Sequence, residues 1–158
     1  MTCAGIGETS MEMQRESQAG KKTTLDLAKT FFAAKERHDL DSTMDLFAES
    51  AVYSFPLNAS GDPAPWFRYE GKQAIAKYQQ GVLKRFSQLH MVEQRFYEST
   101  DGETVFVECK GEYIACEGNI SYNNVYVFRF TGSNGRLESV LEYANPVTFA
   151  KLAGLPIG

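Results

Sequence analysis

The stretch that most constrains this chain is its last third, Asn119 to Pro156, NISYNNVYVFRFTGSNGRLESVLEYANPVTFAKLAGLP. Ile120 to Phe130 is dense in aromatic and β-branched residues, the types that suit a pleated, half-buried surface. Gly132-Ser133-Asn134-Gly135 supplies residues that accept positive φ and predicts a tight turn. Arg136 to Tyr143 alternates, with Leu137, Ser139, Leu141 and Tyr143 on one face and Glu138, Val140, Glu142 and Ala144 on the other. Pro146 has no N–H to donate and ends the pairing. A short closing helix follows.

The rest of the chain supplies helices and further hairpins. Thr23 or Thr24 caps a first helix, with Asp26 in its first turn, where the helix dipole favours a carboxylate. Leu25, Ala28, Phe31 and Phe32 recur at helical spacing as far as about His38. Ser42 with Asp45 resembles a capping box for a second short helix, whose apolar side is Met44, Phe47 and Ala48. Ala51 to Pro56 reads as a brief strand, and Gly61, Pro63 and Pro65 punctuate a loop before the strand FRYEG. Lys72 to Phe86 is a third helix with Ile75, Tyr78, Val82 and Phe86 along one face. Leu89 to Ser99 and Glu103 to Cys116 are strands joined by an Asp101-Gly102 turn, and Gly111 predicts a bulge or bend in the second. Helices first and hairpins after predict an α+β fold, a curved antiparallel sheet with three N-terminal helices over its concave face.

Charge and composition narrow the function. With 158 residues the chain is the size of one domain. A net charge of −4 gives no general attraction to phosphate backbones and argues against nucleic acid as a partner. Eleven Phe, eight Tyr and one Trp can fill a core or line a pocket for a flat organic ligand. Cys3, Cys109 and Cys116 form no C-x-x-C and no Cys/His cluster, which predicts reduced thiols in the cytoplasm and no zinc site. No apolar run approaches the ~20 residues of a membrane helix. Residues 1–22 are polar, without periodicity and without a signal-peptide core, and read as a disordered extension before a domain at 23–158.

Three segments carry a family resemblance. FFAAKERHDLDSTMDLFAESAVYSFP, YEGKQAIAKYQQ and GRLESVLEYANPVTFAKLAGLP resemble the nuclear transport factor 2-like (NTF2-like) superfamily, which includes ketosteroid isomerase and the SnoaL-like polyketide cyclases. The last segment is most similar to the phenazine-biosynthesis A/B branch. The resemblance implies a cone-shaped, cystatin-like fold with a pocket between sheet and helices, and a homodimer formed through the sheet. It also implies proton-transfer chemistry without metal or cofactor on a hydrophobic small molecule of polyketide- or phenazine-like metabolism. Glu142 falls where the phenazine branch carries its acid/base Glu, and an apolar pocket raises a carboxyl pKa toward working pH. Tyr78 falls where that branch has a histidine; a tyrosine can donate to an oxyanion but is a poor base. Phe55 occupies the slot of the ketosteroid isomerase base, so that route is closed. Tyr53, Phe55, Trp66, His90, Asn124 and Tyr126 are the expected substrate-lining residues, with Trp66 as a lid.

Other readings stand beside these. On strand alternation alone, Glu138 and Glu142 also fit a solvated face. Tyr78 also fits core packing beside Ile75 and Val82, Trp66 a hydrophobic plug, and His90 an exposed strand end. One of Asn123 and Asn124 must face solvent and the other the interior. The competing function is a non-catalytic ligand-binding or dimerisation module.

Overall fold

A computed structural model describes residues 20–157; the expected disorder of the N-terminal extension lies almost wholly outside them. The elements run α1 (Thr24–Glu36), α2 (Leu40–Met44), β1 (Phe47–Phe55), β2 (Phe67–Glu70), α3 (Lys72–Arg85), β3 (Phe86–Glu98), β4 (Thr104–Ala115), β5 (Ser121–Ser133), β6 (Arg136–Ala144) and α4 (Pro146–Ala153). The six strands form one sheet in the order β2-β1-β6-β5-β4-β3. Neighbours are antiparallel, except that β1 lies parallel to β6. The curved, mainly antiparallel sheet is as expected, with that one parallel seam.

Local chemistry sets the helix ends. Thr23 accepts from the Asp26 N–H, and the Asp26 carboxylate accepts from the Thr23 N–H, a reciprocal cap. The second helix starts earlier than expected. Its cap is Asp39, which accepts from Ser42 N–H, not Ser42 itself. Consequently Phe47 and Ala48, expected on that helix, belong to β1. Asn145 caps α4 and Pro146 takes its first position, where a missing N–H costs nothing. Gly154 ends α4 in the left-handed region.

The core lies between α1 and the concave face of the sheet. Phe31 and Phe32 are fully buried and meet Phe128 and Phe130 with ring centroids 5.2–6.3 Å apart. These edge-on contacts tie the helix to the sheet. Gly111 makes no bulge: Lys110, Gly111 and Glu112 keep regular register with Val125, Asn124 and Asn123. The irregularity sits on β3, between Val92 and Arg95, where Glu93 has a φ of 53°. Gly111 serves packing instead. A Cβ there would come within 2.7 Å of Tyr126 and 3.1 Å of Tyr113.

Candidate active site

The position of Glu142 follows from a slip in the β5–β6 ladder. Phe128 pairs with Glu142, Phe130 with Val140 and Thr131 with Ser139, but Gly132 pairs with Leu137. Two steps on β6 match one on β5, so the facing parity changes across Glu138. Leu137, Val140 and Glu142 therefore share the concave face, while Glu138 is exposed. The solvated-face reading holds for Glu138 and fails for Glu142.

Around the Glu142 carboxyl lie groups from every layer of the fold. Tyr53, fully buried on β1, donates its O–H to Glu142 Oε2 at 2.5 Å. Glu142 also weighs on the ionisation of Lys35 from α1, Tyr78 from α3, Cys109 and Tyr113 from β4, and Tyr122 and Tyr126 from β5. Burial pushes the Glu142 pKa up, opposed by the Lys35 charge and the Tyr53 hydrogen bond. Burial likewise raises the five tyrosines well clear of neutrality, with the Glu142 charge adding to the effect. The Cys109 thiol is pushed up to about 12 by burial and then by Glu142. The tyrosines stay neutral, Tyr53 donating its hydrogen bond to the carboxylate, and Glu142 is the group whose burial favours holding a proton.

The remaining expected residues divide. Tyr78 stacks on Tyr69 at 4.6 Å and packs on Tyr53 and Phe55 at 5.4 and 5.3 Å. Tyr53, Phe55 and Tyr78 thus form one aromatic wall leading to the carboxyl. Tyr126 lies in the same interior, stacked on Phe128. Asn124 is buried as expected, but its amide is spent on the protein. It donates to the Tyr122 hydroxyl and the Asn145 carbonyl and accepts from the N–H groups of Val125 and Asn145. That use fills its donors and acceptors, so it fixes the start of α4 and has no bond left for a ligand. His90 is corrected. Leu89 and Met91 turn inward, whereas His90 is exposed opposite Glu112. Trp66 is 46% exposed on its loop and meets no other aromatic ring among the described residues. His38, expected at a helix end, donates from Nε2 to the Phe86 carbonyl at 2.8 Å.

Sequence reasoning missed Lys35. It lies four residues after Phe31 and three after Phe32, squarely on the buried face of α1, and is 5% exposed. Its ammonium sits 5.0 Å from the centre of the Phe31 ring. Helical spacing was the available signal. A surface groove of about 320 Å³ lies elsewhere, lined in part by Lys110, Glu112, Asn123 and Val125. Those side chains are exposed and point away from the cone, so this groove is not the buried polar cluster.

A six-stranded sheet wrapped by helices around a carboxyl-bearing cone defines the nuclear transport factor 2-like class of α+β proteins. Within it, the chain belongs to the SnoaL-like domain family, whose model matches residues 28–140. It is 30% identical over 126 residues to the uncharacterised protein YesE of Bacillus subtilis strain 168, covering 78% of this chain and 82% of that one. A crystal structure of a candidate isomerase from Bacillus subtilis superposes with a TM-score of 0.73 at 27% identity, covering 85% and 94% of the two chains. A phenazine biosynthesis-related protein from Pseudomonas aeruginosa superposes with a TM-score of 0.64 at 17% identity, covering 85% and 92%. At that identity the second likeness is one of fold.

Proposed function

We propose that the protein is an isomerase or cyclase that moves a proton on a hydrophobic, ring-bearing substrate, with Glu142 as the acid/base group. One observation carries the reading: the Glu142 carboxyl stands inside an aromatic cone, hydrogen-bonded by Tyr53 and raised in pKa by burial. A carboxyl in that state takes a proton from carbon and returns it elsewhere at lower cost than a free carboxylate, because burial makes its ionised form a stronger base. Tyr78 and Phe55 offer flat faces for the substrate ring. The likeness to an isomerase candidate agrees with this class. The chemistry described uses the chain's own side chains throughout.

The test is a turnover screen over polycyclic ketones and hydroxyquinones, repeated with Glu142→Gln. The variant keeps the fold and binding and loses about 10²–10⁴-fold in kcat, the usual contribution of a positioned acid/base group. A fully active variant removes Glu142 from the mechanism. Binding without turnover by the unaltered protein favours the ligand-binding module instead.

A further inference from the structure

The exposed large apolar side chains of the described residues fall into two groups. Tyr97, Phe106, Val125 and Val127 stand on the outward sheet face. The rest gather at one end of the sheet, for a topological reason. Strands β1 and β6 are parallel, with Tyr53 beside Val140 and Ser54 beside Leu141, so the chain leaves both at the same end. The loop out of β1 begins with Pro56 and Leu57, carries Trp66 and returns at Phe67, opposite Phe55. Helix α4 follows β6 and bears Val147 and Phe149, with Leu155 and Ile157 after it. Ile120 precedes β5, which starts at that end because Tyr126 faces Ala144. Helix α3 finishes there as well: the Arg85 guanidinium lies 5.8 Å from the centre of the Phe149 ring. Phe67 is 57% exposed, Val147 44% and Ile157 49%. Apolar patches of this kind on a folded chain mark a surface of interaction.

The charges beside the patch point to its partner. Helix α3 carries Lys72, Lys77, Lys84 and Arg85, the stretch from Asn145 to Ile157 carries Lys151, and neither contains an acid, in a chain of net charge −4. Along the β1–β2 loop, the end of α3, the β4–β5 turn and α4, the exposed cations Lys84, Arg85 and Lys151 outnumber the exposed acids Asp62 and Glu117. Aromatic and aliphatic side chains interspersed with lysine and arginine suit the headgroup layer of an anionic bilayer. We propose that this end of the molecule docks on an anionic phospholipid surface, with Trp66, Phe67 and the exposed apolar residues of α4 entering the headgroup region. The contact is peripheral, since no helix among the described residues is long and apolar enough to cross a membrane. Glu142 is two residues from the end of β6, so the proposed acid/base group lies at the docking end. On that reading of Glu142, an apolar substrate dissolved in the bilayer reaches the cone without crossing water. The docking itself does not depend on it.

The chain's single tryptophan makes the test site-specific. Vesicles of phosphatidylcholine with phosphatidylglycerol should move Trp66 emission to the blue and carry the protein down on sedimentation. Phosphatidylcholine alone should do so less, and high salt should remove the difference. Lys151→Gln should weaken binding to the mixed vesicles about fivefold, the worth of one cation at an anionic surface. Val147→Asp should weaken it at least about tenfold. Both side chains are exposed, so the fold tolerates the changes. Glu142→Gln should bind vesicles as the unaltered protein does, which separates this proposal from the catalytic one. No emission change and no sedimentation with the mixed vesicles overturns the docking and leaves Glu142 standing. So does binding that Val147→Asp leaves unchanged, or that is as strong on phosphatidylcholine alone. An emission shift that grows with protein concentration in the absence of vesicles assigns the patch to a second copy of the chain and overturns the lipid contact.

Discussion

The Tyr53–Glu142 hydrogen bond lends itself to a quantitative test, Tyr53→Phe. The ring is fully buried and Phe keeps its packing, so only the hydroxyl is lost. A hydrogen bond to a charged group is worth about 1.5–3 kcal/mol and one between neutral groups about 0.5–1.5 kcal/mol. The hydroxyl therefore favours the carboxylate over the carboxylic acid by about 1–1.5 kcal/mol, five- to tenfold in the ionisation constant. Its removal should raise the Glu142 pKa further above the ordinary 4.5, since this bond is among the forces holding it down. The sign in stability follows from linkage. A carboxyl with a raised folded pKa binds protons more readily when folded, so its burial costs nothing below 4.5 and costs fully above the folded pKa. Tyr53→Phe should enlarge that cost. Thermal melts should show the variant falling further behind the unaltered protein as pH rises from 4.5 towards neutrality. Carbon-13 NMR of labelled glutamate carboxyls would follow the titration directly. An unchanged or lowered Glu142 titration would refute the arrangement of the site, as would an equal stability loss at both pH limits.

Two further expectations concern the sheet. Gly111→Ala should destabilise by about 1–3 kcal/mol, the usual cost of overpacking, because its Cβ would meet the Tyr126 and Tyr113 rings; chemical denaturation measures this, and a neutral result would mean the rings move aside freely. The outward sheet face carries Val125 at 58% exposure beside Phe106 at 43% and Val127 at 37%. We place the expected homodimer contact there, and sedimentation equilibrium should give twice the 17.7 kDa chain mass, reverting to the single mass in Val125→Asp.

The sequence makes the architecture legible because its signals there are local. The Thr23–Asp26 cap, the Asp101-Gly102 and Asn134-Gly135 turns and the spacing of Phe31 and Phe32 each act within a few residues. The site depends on pairings that no local pattern encodes. Alternation places Glu142 with exposed Glu138 until the β5–β6 slip is known, and Gly132, at that slip, packs closely against Thr24. A Cβ on Gly132 would lie 2.7 Å from the Thr24 hydroxyl. Lys35 is hidden by its residue type, since a lysine at the end of a helix satisfies the dipole equally well from outside. Gly111 reads as a backbone feature, yet its use lies in making room for Tyr113, two residues on, and Tyr126 on the neighbouring strand. The family resemblance supplied Glu142 ahead of the geometry, and the register explains why it turns inward.

The single parallel seam bears on how the protein comes into being. Strand β1 leaves the start of the domain and docks on β6 at its end, and the bond from Tyr53 to Glu142 spans 89 positions. The β3–β6 hairpins close over short loops, but this seam joins residues 89 positions apart, which makes it entropically the most expensive join. The acid group and its hydroxyl partner thus meet only at the end of assembly. A ribosome-bound or truncated chain lacking β6 would own every ring of the cone and none of its chemistry.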